Sequence, residues 1–215
     1  AAADPALLRT LGIPARSAEG YLFPDTYLLP KGMREDKIVA MMARRFRDRV
    51  PDALEGRALA RGMSFHELVT FASIVEKEAR VPEERPVIAG VFARRLKRGM
   101  PLQADPTVRY AAGRWEGKLS RADFRLDSPY NTYRRAGLPP GPICSPGLAS
   151  LRAAADPADV PYLYFVTRSA GTFRHDFSRT LSEHNEAIRR ANRRQGRAPL
   201  DQARGQPLGQ AQDQP

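Results

Sequence analysis

The chain has 215 residues, 42% of them hydrophobic and 27% charged, with a formal net charge of +11. These proportions describe a soluble globular protein with room for one sizeable core or two small ones. No stretch approaches the roughly 20 apolar residues needed to cross a bilayer. The single cysteine, Cys144, excludes an internal disulfide and a thiolate metal cluster. The histidines His66, His175 and His184 lack metal-ligand spacing, so neither a metal nor a cofactor is expected. The excess positive charge suits an anionic partner. Yet its arginines come as dispersed pairs such as Arg44-Arg45 and Arg94-Arg95, with no RNP, zinc-finger or glycine-rich phosphate signature beside them. Solvated faces explain such pairs better than a nucleic-acid footprint does.

Taken in order, residues 6–15 read as a short helical stub ended by Gly12 and Pro14. The run EGYLFPDTYLLP at 19–30 reads as extended chain, with Pro24 marking an edge or a break. Its aromatics suit core packing, with a sugar-stacking platform as the alternative. Residues 34–50 form an amphipathic helix carrying Ile38, Met41, Met42 and Phe46 on one side, and Pro51 stops it. A helical turn and loop over 52–63 lead to Ser64. There Ser64 and Glu67 make a capping box that opens a helix over 64–80.

That helix carries the principal candidate. At about 100° per residue, Leu68, Phe71, Ala72, Val75 and Ala79 share one face, widened by Val69 and Ile74. Glu76 falls inside this arc and Glu78 near its other edge, about 160° from Glu76. A carboxyl group on such a face is partly stripped of water, the condition in which it can serve as a proton donor. The residues alone leave open a structural ion pair with one of the many arginines.

Pro82 and two glutamates open the next helix, which Gly99 ends. Asp105 followed by Pro106 reads as a helix N-cap, a sufficient structural role for Asp105 but not for Gln103. Residues 127–147 are too rich in proline and glycine for regular structure, so they should form an ordered binding loop. As a surface-loop residue, Asn131 should be removable at less than about 1 kcal/mol. Ser145-Pro146 caps a helix running to Ala155. A hairpin over 162–177 follows, and then a basic helix opened by Thr180 and Glu183. Residues 195–215 have the composition of a disordered tail.

Several of these stretches resemble the YceG-like endolytic murein transglycosylase (MltG) family. They are EGYLFPDTY at 19–27, ASIVEKEA at 72–79, LQADPTVRY at 102–110 and SPYNTYRRAGLPPGPICSPG at 128–147. YLYFV at 162–166 and the run from His175 to Asn185 complete the set, in order over roughly 19–190. The resemblance implies Glu76 as the catalytic acid, with Glu78, Gln103, Asn131 and Tyr133 binding sugar hydroxyls or orienting it. It implies internal cleavage of peptidoglycan glycan strands between N-acetylmuramic acid and N-acetylglucosamine, leaving 1,6-anhydro ends. No cofactor or metal is implied. Peptidoglycan synthases of the penicillin-binding type are candidate partners, and nucleic acid is not. Full-length members carry a membrane-spanning helix and a LysM-like domain at the outer face of the cytoplasmic membrane. The expected organisation here is the end of a LysM-like region at 1–18, a catalytic domain at 19–194 and the tail. The expected fold is α+β: a small mixed sheet, packed helices and a long ordered loop over the cleft. A glycan-binding module without catalysis is the alternative.

Overall fold

The capping box at Ser64 and Glu67 forms as the sequence requires. In the computed structural model, which describes residues 1–169 and 172–194, the Glu67 N–H donates to Ser64 Oγ at 3.2 Å. The Ser64 N–H in turn donates to Glu67 Oε2 at 2.8 Å, so two N–H groups of the first turn are satisfied reciprocally. The helix so started, α4 (Phe65–Glu78), is enclosed all round: every residue from Leu68 to Val75 is buried. Thr70 and Ser73 tolerate this because their hydroxyls donate back to the carbonyls of His66 and Thr70.

The chain divides into two compact units, Ala1–Leu163 and Tyr164 onward. In the first, α4 packs against α3 (Ala53–Ala60), α5 (Arg85–Lys97), α6 (Asp105–Ala112) and most extensively α7 (Leu148–Ala155). The unit also holds α1 (Pro5–Thr10), capped by Asp4, and α2 (Glu35–Arg49). Leu8, Leu11, Ile13 and Ala18 are buried, and the Ala18 N–H donates to the Ala2 carbonyl. The boundary expected at residue 18 therefore lies inside this unit. Segment 19–30 makes no strand. Tyr21 and Phe23 are buried, the Phe23 N–H donates to the Met42 carbonyl of α2, and the Tyr21 ring packs on Phe46. These two aromatics are core.

In the second unit, β1 (Tyr164–Thr167) and β2 (His175–Ser178) pair antiparallel, with Phe165 opposite Phe177. Helix α8 (Leu181–Arg194) packs on both strands through buried Ala187 and Ala191. Its start follows the predicted box with one change: the Glu183 N–H donates to Thr180 Oγ1, while Glu183 accepts from Arg179 rather than from Thr180.

The α+β class holds, but among the described residues the sheet is a two-stranded antiparallel pair rather than a mixed one. A parallel partner would need a crossover connection, and the extended N-terminal segment supplies no strand for one. The tail expected at 195–215 lies outside the described residues. The remaining differences are local. Asp105 is the first residue of α6 rather than its cap, which is Ala104. Helix α7 starts after Gly147 with no side-chain cap of its own.

Candidate active site

The missing cap of α7 is supplied from elsewhere in the fold. Glu76, half-buried near the end of α4, places Oε2 at the amino end of α7. There it accepts from the Gly147 N–H at 3.3 Å and from the Ser150 hydroxyl at 2.5 Å. Ser150 is fully buried, which fixes the donor, and a helix amino end is a natural seat for a carboxylate. No lysine or arginine pairs with Glu76 among the described residues, so the ion-pair role left open by the sequence is not the one it has. Oε1 keeps no protein partner among those residues. The result is a carboxyl group clamped through one oxygen and open through the other.

Glu78 has different surroundings. It lies toward α6, half-buried, and makes no hydrogen bond among the described residues. Burial, and then the nearby Asp105 carboxylate, push its carboxyl up to about 8, so it is protonated at neutral pH. Asp105 in turn accepts from the Tyr133 hydroxyl at 2.5 Å, which is the role that replaces the expected N-cap. Gln103 completes this side. Its φ of +53° is unusual for a residue other than glycine, and it is held there by its N–H donating to the Thr132 carbonyl. Its side-chain oxygen accepts from Arg95, whose guanidinium also serves the carbonyls of Leu102 and Leu163. Strained backbone of this kind concentrates at functional sites. The structure thus gathers Glu78, Asp105 and Tyr133 on one flank of α4, with Gln103 joined to the Tyr133 loop through Thr132.

Asn131 is placed otherwise. It is fully buried, its amide donates to the carbonyls of Phe124 and Leu126, and its oxygen accepts from the Tyr133 N–H. The side chain is spent on fastening the loop, which replaces the expected surface-loop position. Other fasteners act nearer Glu76. The Ile143 N–H donates to Ser73 Oγ, and the Cys144 thiol donates to the Ser73 carbonyl. Burial pushes that thiol up to about 12, so it is no nucleophile at neutral pH. The Gly20 N–H donates to Ser145 Oγ, and Tyr21 bonds His66, which reaches the Pro140 carbonyl. Glycine is required at position 20: φ is +89°, and a Cβ would stand 2.4 Å from Pro142.

Sequence reasoning missed Ser150, Gly147, Glu19 and Tyr110. The only sign of Ser150 was a lone hydroxyl in the apolar run LASLRAAA, and its partner is 74 residues away. Glu19 accepts from the Tyr110 hydroxyl at 2.7 Å. An open groove of about 1120 Å³ lies toward the other end of α4, bordered by His66, Thr70, Phe71, Arg94 and Pro140. Glu76 is not in its lining.

Comparison with known proteins adds four findings. The model of the YceG-like family matches residues 2–190. An endolytic murein transglycosylase of Bacillus subtilis is 44% identical over 171 residues, 79% of this chain and 46% of the relative. One of Streptococcus pneumoniae is 34% identical over 195 residues, covering 84% of this chain and 35% of the relative. The chain therefore spans less than half the length of these relatives. The crystal structure of a yceG-like protein from Listeria monocytogenes superposes with a TM-score of 0.78 at 36% identity, over 86% of this chain and 64% of that one.

Proposed function

The chain belongs to the YceG-like family, and from that premise we propose that it is an endolytic peptidoglycan lytic transglycosylase with Glu76 as its acid and base. The observation carrying this reading is the asymmetric carboxyl of Glu76, with Oε2 held by Gly147 and Ser150 and Oε1 open. A group fixed in this way can meet a glycosidic oxygen without first being ordered. The carboxylic acid gives its proton to the oxygen leaving with N-acetylglucosamine, and the glycosidic bond breaks. The same carboxylate then takes the proton of the muramic acid 6-hydroxyl, whose oxygen closes on the anomeric carbon. One carboxyl performs both transfers, so a second carboxylate acting as nucleophile or water-activating base is not required.

Gln103 and Tyr133 contribute from the strained flank as substrate-binding groups, and Asn131 contributes by holding the loop that carries Tyr133. Cleavage inside strands, a place at the outer face of the cytoplasmic membrane and association with peptidoglycan synthases all belong to this reading, supported by the relatives' names and the wall chemistry they imply. A second reading assigns the proton to Glu78, because its carboxyl is pushed up to about 8 and is protonated at neutral pH. A third keeps glycan binding and drops catalysis.

The experiment that separates them is mass spectrometry of peptidoglycan incubated with the wild-type chain, Glu76→Gln and Glu78→Gln. Anhydro ends from wild type and from Glu78→Gln, but not from Glu76→Gln, are the expected result. The converse pattern moves the acid to Glu78, and no anhydro ends from any protein leaves the binding module.

A further inference from the structure

Three aromatic rings stand together beside the candidate site. Tyr110 of α6 lies with its ring 4.6 Å from that of Tyr130 in the long loop, and 5.9 Å from Trp115, edge to face. Trp115 is 56% exposed, an unusual position for the largest apolar side chain unless something covers it. The cluster touches the helix that carries Glu76 at one point. The ammonium of Lys77, the residue after Glu76, sits 5.8 Å over the Trp115 ring. Within the cluster the Tyr110 hydroxyl donates to Glu19. Through Lys77 the rings adjoin the stretch of α4 that carries Glu76.

We infer that Trp115, Tyr110 and Tyr130 form a sugar-binding subsite, in which the exposed indole stacks on a pyranose ring of the glycan strand neighbouring the scissile bond. The chemistry of the pieces suits a sugar over an apolar partner. A pyranose offers an apolar C–H face to an aromatic ring and hydroxyls around its edge. Here Trp115 and the tyrosines supply the apolar surface, while Glu19 and Lys77 supply an acceptor and a donor at its margin. This inference rests on the proposed glycan substrate and extends it to a place and an orientation.

Trp115 is the only tryptophan of the chain, so its fluorescence reports on this subsite alone. The full chain carrying Glu76→Gln is titrated with soluble, uncrosslinked glycan strands, which it binds without cutting. A saturable change in emission is expected. In the otherwise wild-type chain, Trp115→Ala should raise KM by about 10-fold, the equivalent of one aromatic stacking contact, with kcat largely retained. Trp115→Phe should recover most of the loss. Because Trp115 is exposed, both variants should fold as wild type, checked by circular dichroism. An emission spectrum unmoved by glycan, or a Trp115→Ala KM within twofold of wild type, overturns the inference. The fluorescence arm needs no turnover. Absence of anhydro ends therefore counts against catalysis by Glu76, and a silent tryptophan counts against the subsite.

Discussion

The two flanks of α4 show how one short motif divides its labour. VEKE places two glutamates on the same helix, two residues apart. On the α7 side, Glu76 is met by a backbone N–H and a buried hydroxyl, donors that hold one of its two oxygens. On the α6 side, Glu78 meets burial and another carboxylate, which suit a protonated acid. The lesson is that burial alone does not identify the working group. The donor set around a carboxyl decides whether it is held in place with one oxygen open, or merely kept neutral.

The sharpest way to break this contrast is Glu76→Gln. Yield of anhydro-muropeptides should fall by about 10²–10⁴-fold, while the melting temperature stays equal or rises, because the amide oxygen still accepts from Gly147 and Ser150. Activity within tenfold of wild type would move the chemistry to the other flank. Asn131→Ala comes next. Loss of its three hydrogen bonds in a buried position should cost about 1–3 kcal/mol in urea unfolding, more than a surface-loop residue would. Wild-type stability would put Asn131 back at the surface. Ser150→Ala removes the hydroxyl that fixes Glu76, so kcat should drop on the order of 10-fold with KM unchanged. A change confined to KM would make Ser150 a substrate contact instead.

Glu78→Gln should have the smallest effect on turnover and a distinctive one on stability. In the wild type, the unfolded chain loses the Glu78 proton near pH 4.5, while the folded chain keeps it to about 8. The folded state thus binds more protons between those values, and stability falls as pH rises across that window. Melting curves of wild type against Glu78→Gln should diverge there, with the variant flatter and more stable at the alkaline end. Parallel curves would remove the buried acid from the account.

The helices and the half-buried place of Glu76 on α4 were legible because their signals are local. The capping box at Ser64 and Glu67, the apolar arc from Leu68 to Ala79 and the glycine at 99 each declare themselves within a few residues. What escaped was the chemistry that depends on distant partners. Asp105 looked like a cap because Pro106 follows it, yet its carboxylate serves Tyr133, 28 residues on. Asn131 looked exposed because its loop is full of proline and glycine, yet it is the post around which that loop turns. Neither Ser150 nor the Glu19–Tyr110 pair carries a motif of its own, since each acquires meaning only when the chain closes on itself.

That closure sets an order of assembly. Gly20 bonds Ser145 across 125 residues, and Glu76 waits 74 residues for Ser150. Such contacts close large loops before they return any stabilisation. A nascent chain reaching only as far as the long loop holds the residues of α4 but neither donor of Glu76. Until α7 has been made, the Glu76 carboxyl has nothing to hold it, and its place is fixed only with one of the last pieces of the first unit.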